Sequence, residues 1–131
     1  ERKFVLHGWK MYMNSVQAFV ALENLKKLDE KKERLKAIRY FYNKKFGREN
    51  TSNHLYRINV SDRDRKLSTL REQYDISCGI HYKALHHMSP YKYGTYLPKS
   101  NAESESTLSI PYHENLSEEE LERVVECIFK V

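Results

Sequence analysis

The chain reads as a single α/β domain, an α+β two-layer sandwich. Three short segments, His54–Val60, Ile76–Ile80 and Leu108–Tyr112, alternate or run apolar over strand lengths, and longer stretches with apolar residues at helical spacing lie among them. The length of 131 residues, with 40% hydrophobic and 31% charged, suits one ordinary domain and is too little for two. Four Gly and three Pro exclude collagen-like and low-complexity chains. No apolar run approaches the roughly 20 residues that a membrane-spanning helix needs.

The first element is a long helix opening at Asn14. Asn14 can cap it, with Gln17 three residues on as the return partner. Ala18, Ala21 or Leu22, Leu25, Leu28, Leu35, Ile38 and Tyr42 then recur at helical spacing between charged residues, and Gly47 ends the run. The stripe also continues through Val16, Phe19 and Val20, more apolar surface than a small domain covers. A polar loop, 48–53, leads into the strand His54–Val60. Ser61 or Asp62 caps a second helix that buries Leu67, Leu70 and Tyr74, and Asp75 leads into the strand Ile76–Ile80. Residues 82–107, rich in Tyr, His and Ser, read as a long structured loop with one helical turn at most. The extended piece Leu108–Tyr112 precedes Ser117-Glu-Glu-Glu120, a capping box for a last helix whose apolar face is Leu121, Val124, Val125, Ile128 and Phe129.

The net charge of +5 is unevenly spread. Residues 26–48 carry ten Lys/Arg against three Asp/Glu, whereas residues 103–126 carry eight Glu against Arg123 alone. Such blocks either attract one another in the fold or face partners. Two distant cysteines, Cys78 and Cys127, in a chain of charged helix formers argue for reduced thiols and a cytoplasmic setting. Glu1 is not a start methionine, and the opening residues lack the apolar stretch of a secretory signal, so the coding sequence is expected to extend upstream.

His81, His86 and His87 form the one histidine cluster. No nearby Cys, Asp or Glu completes a zinc set, so no metal is expected. Two readings stand: the imidazoles line a polar pocket with Tyr82 and Lys83 for an anionic ligand, or His81 ends a strand and the other two lie on the surface. No phosphate-cradling Gly-rich loop, nucleophile elbow or glycosidase-like carboxylate pair occurs.

Several segments together resemble one family. Gly8-Trp-Lys-Met-Tyr-Met-Asn-Ser-Val-Gln-Ala18, then Leu25-Lys-Lys-Leu28, Arg34 and a Tyr at 40 or 42, His54-Leu-Tyr56, Asp75-Ile-Ser-Cys-Gly-Ile-His81-Tyr82 with His86 and Tyr91, and Ser109-Ile-Pro-Tyr-His-Glu-Asn-Leu-Ser117-Glu-Glu-Glu follow one another in order. This succession is similar to the PLP-dependent nucleotide-sugar aminotransferases, the DegT/DnrJ group of fold-type-I enzymes. It resembles their C-terminal portion, which implies a connecting segment and long basic helix over 1–47 and a small α/β domain over 48–131.

The resemblance implies pyridoxal 5'-phosphate as cofactor, a homodimer, and transfer of an amino group from glutamate to a keto-sugar nucleotide. It places the lysine that tethers the cofactor as a Schiff base upstream of Gly8, so this chain is expected to hold no catalytic lysine and to be inactive alone. Lys10, Tyr12 and Asn14 would approach the cofactor phosphate, Tyr12 standing where the family has Arg or Asn. His81, Tyr82 and His86 would stand on the substrate side. The alternative is a non-catalytic basic module binding nucleic acid or an acidic partner through residues 26–48, where Tyr40, Phe41 and Tyr42 stand among the cations. Asp29, Glu30 and Glu33 dilute that charge, so nucleic acid is the less favoured partner, and no membrane is expected.

Overall fold

A computed structural model describes residues 12–88 and 96–131. Asn14 opens helix α1 (Ser15–Lys26) with a reciprocal capping box: its Oδ1 accepts from the Gln17 amide at 2.9 Å, and Gln17 Oε1 accepts from the Asn14 amide at 3.1 Å. The single long helix read from periodicity is two. Lys27, at φ −96° and ψ 2°, leaves the helical region, its amide turns to the Asn24 carbonyl, and α2 (Leu28–Phe46) begins. No Pro or Gly marks the break. It falls between a helix with no buried residue and one that buries Leu35, Ile38 and Tyr42. The expectation that Ala18, Ala21 or Leu22, Leu25 and Leu28 face the core is therefore wrong for this chain by itself. Gly47 closes α2 at φ 59°, ψ 31°, the left-handed cap that glycine adopts without a Cβ penalty.

Strands β1 (Tyr56–Asn59) and β2 (Thr107–Ile110) pair antiparallel, Tyr56 opposite Ile110 and Ile58 opposite Leu108. These four residues face the core, and side-chain alternation places Arg57, Asn59, Thr107 and Ser109 on the other face. The expected strand Ile76–Ile80 reduces to one bridge: Gly79 and Ser109 exchange two backbone hydrogen bonds, at 2.9 and 2.8 Å. Between the strands lies α3 (Arg63–Tyr74). Asp62 occupies its cap position but at φ 49°, ψ 42°, where its side chain makes no capping bond, and Ser61 makes none either. Leu70 is fully buried, whereas Leu67 and Tyr74 are half-buried.

The described parts of the expected loop 82–107 are more ordered than a loop, while residues 89–95 lie outside the described residues. Leu85–His87 forms a 3-10 turn, and α4 (Pro98–Ser106) starts with proline at its first turn, where the missing amide hydrogen costs nothing. The last helix, α5 (Glu118–Lys130), carries the expected capping box, with Ser117 Oγ accepting from the Glu120 amide at 3.1 Å and Glu120 Oε2 from the Ser117 amide at 2.8 Å. Leu121, Val124, Val125 and Ile128 are buried as expected, with Cys127 beside them. Phe129 is the exception: it is 67% exposed, its ring 5.6 Å from that of Phe46.

The core joins α2, α3 and α5 to the inner face of the sheet, centred on Tyr42 and Tyr56, whose rings lie 5.0 Å apart. Both phenols are satisfied, Tyr42 donating to the Pro111 carbonyl at 3.0 Å and Tyr56 to Asn43 Oδ1 at 2.9 Å. Burial pushes the Tyr56 hydroxyl up to about 12 and that of Tyr42 higher still. The opposite charge blocks meet within the fold: Lys31–Glu114 at 2.7 Å, Arg34–Glu118 at 2.8 Å and Lys45–Glu122 at 2.7 Å. A share of the basic stripe is thus committed internally.

Candidate functional site

The histidine segment hangs from the edge of the sheet. Gly79 holds it to Ser109, and the His81 ring folds back over the side of Gly79 where any other residue would carry a side chain. A Cβ on Gly79 would lie 2.7 Å from His81 Cε1, so glycine is required for this approach. His81 meets Tyr82 edge-on, ring centres 5.1 Å apart at 90°, while Tyr82 is 70% exposed. The His81 Nδ1 is buried and has no hydrogen-bond partner among the described residues.

Helix α4 fixes the second half of the segment. The Ala84 amide donates to Ser104 Oγ at 2.9 Å, and His86 Nε2 donates to Asn101 Oδ1 at 2.6 Å. Where Asn101 Oδ1 accepts, a ring proton of His86 is on Nε2, and in the neutral ring Nδ1 is then the acceptor. The exposed His87 ring packs against that of His86, centres 4.4 Å apart. His81, Tyr82 and His86 thus lie on one short segment braced by β2 and α4. Asn101, Ser104 and Gly79 escaped sequence reasoning, and Pro98 with Ala102 was the available signal for α4. Among the described residues, no group of three or more His, Cys, Asp or Glu is placed to hold a metal ion.

The other expected residues lie at the start of α1. Lys10 is outside the described residues, as is Tyr91. Tyr12 is 76% exposed. Asn14 uses Oδ1 for its cap, which leaves the Nδ2 hydrogens to donate outward. No acidic residue stands in the first turn of α1 to offset the positive end of the helix dipole. Tyr12 and Asn14 stand two residues apart at the start of α1, whereas His81, Tyr82 and His86 lie on the segment braced by β2 and α4.

Helix α1 also presents Val16, Phe19, Val20, Leu22 and Leu25, each 52–72% exposed. The apolar surplus noted in the sequence is therefore displayed. A polar cleft of about 370 Å³ lies at the α1–α2 break, lined by Asn24, Lys27, Glu30, Lys31, Arg34 and Glu114 among others, and its ion pair Lys31–Glu114 holds the Glu114 carboxyl below the usual range.

This architecture is shared with solved fold-type-I sugar aminotransferases. The DegT DnrJ EryC1 StrS aminotransferase from Brucella abortus matches 94% of this chain with 39% of its own, at a TM-score of 0.78 and 26% identity. Spr1654 of Streptococcus pneumoniae, in its PLP form, matches 98% of this chain with 38% of its own, at a TM-score of 0.81 and 25% identity. The spore coat polysaccharide biosynthesis protein SpsC of Bacillus subtilis (strain 168) is 25% identical over 147 residues, which cover 92% of this chain and 37% of SpsC. The chain therefore spans under two fifths of each of these relatives. The model of the DegT/DnrJ/EryC1/StrS aminotransferase family matches residues 2–129, and the chain belongs to that family.

Proposed function

We propose that this chain works as the small domain of a PLP-dependent aminotransferase that moves an amino group from glutamate to a keto-sugar nucleotide, in a cytoplasmic homodimer. One observation carries the reading: helix α1, inside the family match, has no buried residue and displays a broad face of exposed Val16, Phe19, Val20, Leu22 and Leu25 with Glu23 and Lys26 among them, in a chain that spans only 37–39% of its relatives. Such a face is what a second, larger lobe would cover.

The family's enzymes are PLP-dependent, and when bound the cofactor supplies the electron sink for amino transfer. On this chain, Lys10, Tyr12 and Asn14 form the phosphate rim in the proposal. Asn14 Nδ2 and the donor-rich start of α1 suit a dianion, and the first turn holds no carboxylate to repel one. On the substrate side, Tyr82 offers an exposed hydroxyl, His86 an imidazole anchored through Nε2 at Asn101, and His81 its second ring nitrogen. These groups orient a sugar's hydroxyls and exclude water rather than break bonds. The bond-making lysine belongs to the lobe outside residues 1–131.

The test joins this chain to the catalytic lobe of the Bacillus subtilis relative and follows 2-oxoglutarate formed from glutamate with a keto-sugar nucleotide. The 131-residue chain alone is expected to form none, and the joined protein is expected to bind PLP and turn over. Turnover by the chain alone, or a joined protein that folds yet binds no PLP, contradicts the reading. The nucleic-acid reading draws no support from the structure, because Lys31, Arg34 and Lys45 pair with Glu114, Glu118 and Glu122.

A further inference from the structure

Two buried side-chain polar atoms lack a partner among the described residues, His81 Nδ1 and Ser109 Oγ, and both belong to the same corner of the sheet. Buried polar groups in folded proteins are almost always satisfied, so two orphans side by side call for a common explanation. Gly79 and Ser109 form a hydrogen-bonded antiparallel pair, which directs their Cβ positions to one face about 5.5 Å apart. The His81 ring occupies the Gly79 side of that face, its Nδ1 3.3 Å from where a Cβ would stand. Ser109 is 4% exposed and projects on the same side. The hydroxyl can donate or accept as it rotates, and a neutral imidazole nitrogen without a proton only accepts.

We propose that the Ser109 hydroxyl satisfies His81 Nδ1, through one enclosed water or by a turn of its own χ1 toward the ring, and so fixes His81 as the tautomer with its proton on Nε2. Ser109 is then a positioning residue: it touches no substrate but decides what His81 presents, a donor rather than an acceptor. The functional consequence rests on the substrate-side reading of His81. The hydrogen bond does not, and it is measured in the free protein.

Long-range ¹H–¹⁵N correlation spectra of the chain, at a pH where His81 is neutral, read the tautomer. The expected pattern is protonated Nε2 with Nδ1 as acceptor, and Ser109→Ala lowers the ratio of the two tautomers by about three- to tenfold, the worth of one neutral hydrogen bond. Dominance of the Nδ1-protonated tautomer in the unaltered chain overturns the proposal, as does an unchanged ratio in folded Ser109→Ala. If Ser109→Ala loses its folded spectrum, Ser109→Thr keeps the hydroxyl and is expected to keep the ratio within about twofold; a collapse there overturns the proposal too. A failed amino-transfer assay with an intact tautomer would count against the aminotransferase reading alone.

Discussion

The imidazole of His81 lies against Gly79 so closely that a methyl group there would come within 2.7 Å of its Cε1. The contact couples the backbone bridge to Ser109 with the orientation of the first histidine in the candidate site. Gly79→Ala is expected to turn the His81 ring away, break its edge contact with Tyr82, and cost on the order of 1 kcal/mol, because the obstructing atom belongs to a side chain that can move. Urea unfolding with ring-proton shifts of His81 checks both parts, and unchanged shifts would contradict it.

Core and α1 substitutions should separate cleanly. Ile38 is fully buried among the aromatic residues of the core, so Ile38→Ala is expected to cost about 2–5 kcal/mol. Phe19, 64% exposed, should tolerate Phe19→Ala within about 0.5 kcal/mol in this chain. In a protein with the catalytic lobe attached, the same Phe19→Ala should become costly. Denaturant unfolding of both proteins makes the comparison.

The cap of α5 sets an acid response. Hydrogen bonds at Ser117 hold Glu120 below the ordinary carboxylate value, and the bond from Lys31 does the same for Glu114. A folded value below the unfolded one means that the stabilisation is present above the unfolded value, 4.5, and is lost as pH falls through the folded value. Thermal midpoints should therefore drop below about pH 4.5, and Glu120→Gln should flatten part of that drop, whereas Ser117→Ala, which keeps the backbone amide that donates to the Glu120 carboxylate, should leave the drop in place and cost about 1 kcal/mol at neutral pH through the lost bond to the Glu120 amide.

Cys78 should react slowly. Burial pushes its thiol up to about 11, so only roughly one molecule in a thousand carries the thiolate at pH 8. Alkylation in the folded chain is expected to lag that in urea by at least about a hundredfold, measured by mass spectrometry at matched pH.

Much of this architecture is legible in the residues. The capping boxes at Asn14 and Ser117, the stop at Gly47 and the face of α5 follow from local chemistry, since each partner lies within four residues. The surplus at Val16, Phe19 and Val20 was legible too, but the break at Lys27 and the exposure of Ala18, Leu22 and Leu25 were not, because periodicity marks a face as apolar without naming what covers it. Helix α4 hid in Ser, Asn and Glu, residues that read as loop until Pro98 is seen as a first-turn proline. Of the candidate site, the histidines stood out by type, whereas their brace, Gly79, Asn101, Ser104 and Ser109, comes from a bridge and a helix far along the chain.

The central claim is that this domain serves a lysine-bearing lobe, and reading the coding sequence upstream of the Glu1 codon tests it most directly. The account predicts an in-frame lobe of roughly 200 residues or more, with a lysine that binds PLP when the whole protein is purified. A stop codon or an unrelated sequence immediately upstream would contradict it.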